Sequence, residues 1–316
     1  MEDKPAAARN GENMTLDQLY RTIQGSSHGG SSHGMSMHET AAKCGRKANL
    51  NAKHRDKVDD LRQEERDPDE VQALDVGTYF HALQENGLRG QLEDSIWDQT
   101  DEAHSIDFVE AVRLWRGYND AWGSMLKRWG AELIGVEVPL PGDVSEHVAL
   151  WLEEEFGDKL TGRADAIIRI VDANVAYENT GLLLREGGTY LFDFKSAGQK
   201  NAKQDWQFTF GNQAITYCLL YNLLHAANPV DGFVFDLTVR HKTLRKEAEL
   251  DKNGKLRAGK SFHAFLAQIL PGDEEIIKGL VRLSVENRKA DKANPSHCFD
   301  GFSPCPFFKL GLCDRK

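Results

Sequence analysis

The stretch TYLFDFKSA, Thr189 to Ala197, decides how the rest of the chain is read. Thr189, Leu191, Asp193 and Lys195 alternate with Tyr190, Phe192 and Phe194, and a β-strand, with its period of two, puts each set on its own face. The aromatics can then be buried while Asp193 and Lys195 point together the other way, a carboxylate and an ammonium side by side on a rigid element. That pairing suits metal-assisted hydrolysis. It also suits a plain ion pair, so the surrounding sequence has to decide.

Upstream, GRADAIIRI (162–170) alternates in the same way, with Arg163, Asp165 and Ile167 on one face and Gly162, Ala164, Ala166 and Ile168 on the other. The small apolar face can pack tightly while Asp165 looks into a cleft. If the two strands are sheet neighbours, Asp165, Asp193 and Lys195 meet. Two carboxylates suit Mg²⁺ or Mn²⁺, hard cations that take oxygen ligands. Lys195 can then orient or deprotonate an attacking water, or offset phosphate charge. Downstream, 203–225 reads as a helix with an apolar stripe of Gly211, Ile215, Cys218, Leu219 and Leu223. Gln213, Tyr217 and Tyr221 lie along an adjacent line at i, i+4, i+8.

The remaining segments complete an α/β pattern. VGTYFHALQENG (76–87) reads as a short helix carrying His81, with Gly87 as its stop. A longer helix is expected over 106–129, with Phe108, Val112, Trp115, Tyr118 and Trp122 as a core stripe. Strands are expected over 131–141, 147–153, 160–172 and 232–240, with a loop or hairpin over 172–188 and a helix over 261–288. HETAAKCGRKANLNAKH (38–54) reads as a helix carrying Cys44, and 54–70 as a charged surface helix or loop. Residues 1–35, Gly/Ser/His-rich toward their end, read as a mobile tail whose His28 and His33, with His38 just beyond, are solvated rather than metal-bound.

Composition narrows the function further. With 39 basic and 49 acidic residues the net charge is −10, which argues against non-specific coating of nucleic acid and confines any DNA contact to a patch. The basic excess between Asp236 and Lys260 is a candidate for that patch, or a solvated hairpin. No apolar run approaches a membrane span and the N-terminal residues have no apolar signal core, so a cytoplasmic protein is expected. Five cysteines, an odd number in that setting, point to metal rather than disulfides. Cys218 falls on the apolar stripe of its helix and reads as a buried structural thiol.

Taken in order, GTYFH with His81, GRAD with Asp165, DFK with Asp193 and Lys195, QAITY with Gln213 and Tyr217, and the flanking cysteines resemble the PD-(D/E)xK nuclease superfamily, in particular its RecB-like branch. The resemblance implies a restriction-endonuclease-like α/β core, a mixed central sheet flanked by helices, over 36–316 with a helical insertion at about 88–130. It implies that His81, Asp165 and Asp193 bind the metal, with the Phe194 carbonyl a further ligand. Lys195 becomes the catalytic lysine, and Gln213 and Tyr217 line the same site and contact DNA. Cys44, Cys298, Cys305 and Cys313 resemble the four-cysteine set that holds a 4Fe-4S cluster in this branch, with zinc as the other metal four thiolates suit. Such a cluster would clamp the N-terminal helix to the 298–313 segment. The last three cysteines are spaced more widely than usual, and Gly45 follows Cys44 where proline is common.

The activity these features imply is metal-dependent hydrolysis of DNA, as an exonuclease that prefers single-stranded ends, in recombination, repair, phage replication or CRISPR adaptation. A helicase would be a separate partner. The alternative is a non-catalytic DNA-binding or assembly subunit with a vestigial site. A structural metal protein without DNA would explain the cysteines but not the strand carboxylates.

Overall fold

The computed structural model describes residues 14–24, 35–64, 73–92, 104–197, 208–209, 211–239, 262–291, 294, 305–309 and 313. Five strands, β1 (Ala131–Leu140), β2 (Gly162–Ile170), β3 (Thr189–Ala197), β4 (Gly232–Val239) and β5 (Phe262–Ala267), form one sheet in sequence order. The sheet is mixed: β3 and β4 pair in parallel, and the other neighbours are antiparallel. This is an α/β architecture with helices on both faces, as expected. β4 is buried along its whole length, which explains the unbroken apolar run in GFVFDLTV apart from Asp236 and Thr238.

β3 divides the core as its period predicts. Tyr190, Phe192 and Phe194 pack into a cluster with α1 (Leu16–Gln24), α4 (Ala73–Leu88), α5 (Ile106–Trp122), α6 (Met125–Arg128) and α8 (Ala173–Thr180). Leu191 packs into the opposite cluster with α7 (Glu146–Phe156), α9 (Asn212–Leu224) and α10 (Asp273–Lys289). The expected aromatic stripe of α5 is core: Phe108, Val112, Trp115 and Tyr118 are buried. Its polar anchor is Asp236, whose carboxylate accepts from the Tyr118 hydroxyl at 2.6 Å and the Trp129 indole at 3.0 Å and pairs with buried Arg128. Without those partners a carboxylate at this depth would be strongly destabilising.

Several elements differ from their sequence reading. The supposed tail contains α1, whose Leu16, Leu19 and Ile23 are buried. A reciprocal cap starts it: the Gln18 amide donates to the Thr15 hydroxyl, and the Thr15 amide to the Gln18 side chain. Residues 147–153 belong to helix α7 rather than a strand. The Ser145 hydroxyl accepts from the Val148 amide, Gly157 closes the helix in the left-handed region, and Leu152 and Phe156 form its buried face. The loop after β2 carries α8, capped by Asp172 and closed by Gly181. The single helix expected over 261–288 is strand β5 followed by α10, separated at Pro271 and Gly272. The helix expected over 106–129 stops at Trp122, where Gly123 has φ +77. The helix read over 38–54 is interrupted at Cys44, between α2 (Met35–Lys43) and α3 (Gly45–Glu64). Among the described residues no helix is long and apolar enough to cross a membrane.

Candidate metal and catalytic site

The strand register brings three acidic residues into one row. β1 and β2 pair Val136 with Ala166 and Val138 with Ala164, which sets Glu137 opposite Asp165. β2 and β3 pair Ala166 with Phe192, so the next positions along the two strands are Asp165 and Asp193. The expected neighbourhood of Asp165, Asp193 and Lys195 is therefore present, on the adjacent strands β2 and β3. Glu137 was not anticipated. Its φ of +52 is a left-handed conformation that a non-glycine residue adopts only at a cost the surroundings offset.

α4 brings His81 over this row. Gly77, at the start of GTYFH, faces β3 closely: a Cβ there would lie 2.2 Å from Ser196 Oγ, so a larger residue would require the serine hydroxyl to turn away. One turn later, His81 Nε2 lies 2.8 Å from Asp165 Oδ1 and 3.6 Å from Glu137 Oε1. The Phe194 amide donates to Asp165 Oδ2 at 2.6 Å, and its ring meets His81 edge-on at 6.2 Å. Phe194 thus touches the site through its amide and ring; the resemblance implied its carbonyl.

Lys195 Nζ lies 2.5 Å from Asp193 Oδ2. That oxygen and Glu137 Oε1 are both buried without a hydrogen bond of proper geometry; for Asp193 the ion pair is a matter of proximity alone. The second Glu137 oxygen is 2.6 Å from Arg163 Nε. Burial, reinforced by the charge of Asp165, pushes the Asp193 carboxyl up to about 7 against the pull of Lys195 and His81. Burial also raises Glu137, with the His81 charge opposing. For Lys195, burial works downward, but the charges of Asp193 and Asp165 outweigh it and the ammonium is held above its ordinary range. Crowded carboxylates with raised proton affinity are what a divalent cation relieves.

α9 supplies the far wall. Gly162, the first residue of GRAD, lies against Tyr217; a Cβ there would come within 2.2 Å of the ring. Gln213 hydrogen-bonds the Tyr217 hydroxyl, which is near enough to Asp193 and Lys195 to feel both charges. Burial raises that hydroxyl, and the Gln213 bond partly offsets it. His81, Asp165, Asp193, Phe194, Lys195, Gln213 and Tyr217 therefore gather at one site. Glu137 and Glu85 join them, and Glu85 was legible as the i+4 partner of His81 on one helix face.

The other expectations fall away from the pocket. Cys44 is buried at the start of α3, and its sulfur accepts from the Lys47 amide at 3.4 Å. Cys305 and Cys313 pack with Val58, Leu50 and Phe307, at α11 (Pro306–Lys309) and α3. Cys298 lies outside the described residues. Cys218 is buried and its thiol is pushed upward by burial alone, as a structural residue should be. Phe208 packs on Phe235 and Phe265 at 5.0 and 5.1 Å. Most of the basic stretch after β4 is also outside them. That stretch ends in GKLRAGKS (254–261), which fits the phosphate-loop string GxxxxGK[ST]. A phosphate loop needs a helix after it, and here strand β5 begins at Phe262. No protein-family model matches the chain, and no curated protein matches it.

Proposed function

We propose that this chain is a metal-dependent deoxyribonuclease of the PD-(D/E)xK kind, acting from free and preferably single-stranded ends. The observation that carries the reading is the row of Glu137, Asp165 and Asp193 across three strands, with Lys195 beside it and His81 above it. Asp165, Asp193 and His81 would hold Mg²⁺ or Mn²⁺, with the Phe194 carbonyl completing the set. Such an ion supplies Lewis acidity toward a phosphate oxygen and lowers the pKa of a bound water. Lys195, held protonated by its acidic neighbours, offsets charge building on the phosphate and orients the attacking water. Gln213 and Tyr217 fix the strand against the pocket wall.

The end preference follows from charge. At −10 the protein has little positive surface with which to grip a duplex from its sides, so binding depends on a local channel. The four-cysteine iron–sulfur clamp is part of the same proposal, and it rests on the resemblance of Cys44, Cys298, Cys305 and Cys313 to the set that holds such a cluster. A motor that unwinds duplex would be a partner chain. Labelled linear and covalently closed single-stranded DNA, each incubated with Mn²⁺ and with chelator, test the reading. Mn²⁺-dependent loss of the linear form alone is expected. Equal rates on both forms would make the enzyme an endonuclease, and no cleavage of either would favour the non-catalytic DNA-binding subunit.

A further inference from the structure

GRAD places Arg163 two residues before Asp165, on the same face of β2. Its backbone amide hydrogen-bonds the Tyr217 hydroxyl, which fixes the root of the side chain at the site. Nε lies 2.6 Å from Glu137 Oε2, and among the described residues the guanidinium meets no other partner. The other two cations of the site are engaged inward, His81 Nε2 with Asp165 at 2.8 Å and Lys195 Nζ with Asp193 at 2.5 Å. Each of those side chains is 30% exposed, whereas Arg163 is 65% exposed. A row of three carboxylates repels a polyanion unless a cation at its rim offsets the charge. Arg163 is the cation placed there, and its two terminal nitrogens form the planar fork that matches a phosphate.

We infer that Arg163 is a strand-binding residue, whose guanidinium fork holds a backbone phosphate of the substrate next to the phosphate under attack. The inference rests on the nuclease reading and adds a contact to it. Nε keeps its place on Glu137, so the carboxylate that steadies the guanidinium also turns its fork away from the row. A phosphate contact sets the register of the strand and reads no sequence, so it serves any base. Arg169, farther along β2, supplies an internal comparison. It pairs with Glu132 of β1 at 2.8 Å and is 50% exposed, but it stands opposite Thr189, at the end of β3 remote from Asp193 and Lys195. The two arginines share a strand and a kind of ion pair; only Arg163 borders the site.

The test is the affinity of the full chain for end-labelled single-stranded DNA, followed by fluorescence anisotropy in Mn²⁺ over a series of salt concentrations. D193N is the parent, so that the strand is not consumed. R163Q in that parent should bind at least about tenfold more weakly at low salt. Its plot of log affinity against log salt should be shallower by about 0.7, the share of one phosphate contact on a single strand. R163K keeps the charge without the fork, and should keep the slope while losing part of the affinity. R169Q should leave both as they are. An R163Q slope equal to the parent's would overturn the inference even if affinity fell, since an effect carried through Glu137 alone releases no counterion. An R169Q loss as large as that of R163Q would overturn it too, by making the effect one of net charge. Failure of the nuclease reading shows separately, as wild-type protein that binds through Arg163 and cleaves nothing with Mn²⁺. A parent that binds no single strand would overturn both.

Discussion

His81 and Asp193 share one carboxylate-rich pocket, and both hold their protons more tightly than they would in an unfolded chain. For His81, burial acts downward, but the hydrogen bond and charge of Asp165, with the charges of Glu137 and Asp193, carry the imidazole up to about 9. Asp193 is raised by burial first and by Asp165 second. A group whose folded pKa lies above its unfolded value stabilises the fold fully below the unfolded pKa, and that contribution is lost as pH rises through the folded one. The His81 contribution is therefore complete below about 6.5 and lost by about 9. Its size, discounted for partial exposure, is on the order of 2 kcal/mol. In chelator, the thermal midpoint should fall as pH is raised from 6.5 to 9, and H81Q should flatten that fall. A wild-type midpoint that holds steady or climbs across the window relative to H81Q would contradict this balance of charges.

Secondary elements differ in how openly their sequence declares them. β3 and β2 were legible because period-two alternation sorts aromatic or small apolar residues from charged ones, and the same alternation told which carboxylates share a face. α7 was not, because HVALWLE is a continuous apolar run whose period cannot separate helix from strand; the caps at Ser145 and Gly157 decide it. α1 was hidden by the polar composition around it, although Thr15 and Gln18 already spelled a capping box. β5 and α10 are adjacent in sequence, and only Pro271 and Gly272 between them mark the break that separates strand from helix. Glu137 could not have been found from its own segment. Its place opposite Asp165 depends on the register between β1 and β2 and on a left-handed backbone at a residue that does not advertise one. The glycine that opens GRAD has a reason in packing: Gly162 admits the Tyr217 ring.

Across the whole chain, the N-terminal helices and the C-terminal segment are tied together. A Cβ at Gly45 would sit 2.0 Å from the Asn287 carbonyl oxygen, so the residue after Cys44 must be small where α3 meets α10. Asn287 donates to the carbonyls of Ala41 and Ala42, Asn49 to that of Arg288, and Arg46 pairs with Asp291 at 3.1 Å. Any larger residue after Cys44, proline included, would forfeit this close approach. With α11 packed on the same α3, a cluster held by Cys44, Cys298, Cys305 and Cys313 would join segments far apart in sequence, and losing one thiolate should loosen them together. Protein purified without oxygen should contain iron and acid-labile sulfide, and Cys305→Ala should lose both along with several degrees of thermal stability. Colourless protein with stoichiometric zinc would replace the cluster with a zinc site.

The proposed activity requires the carboxylate row, whose crowding lowers the stability of the fold. Asp193→Asn separates the two effects, because it preserves shape while removing a buried charge crowded by Asp165. The measurement is Mn²⁺-dependent cleavage of labelled linear single-stranded DNA by wild type and D193N, at equal concentration and pH 8, with the thermal midpoint of each taken in chelator. A loss of at least about 100-fold in rate, with a midpoint equal to or above that of wild type, is the expected result. D193N cleaving at the wild-type rate would contradict the account.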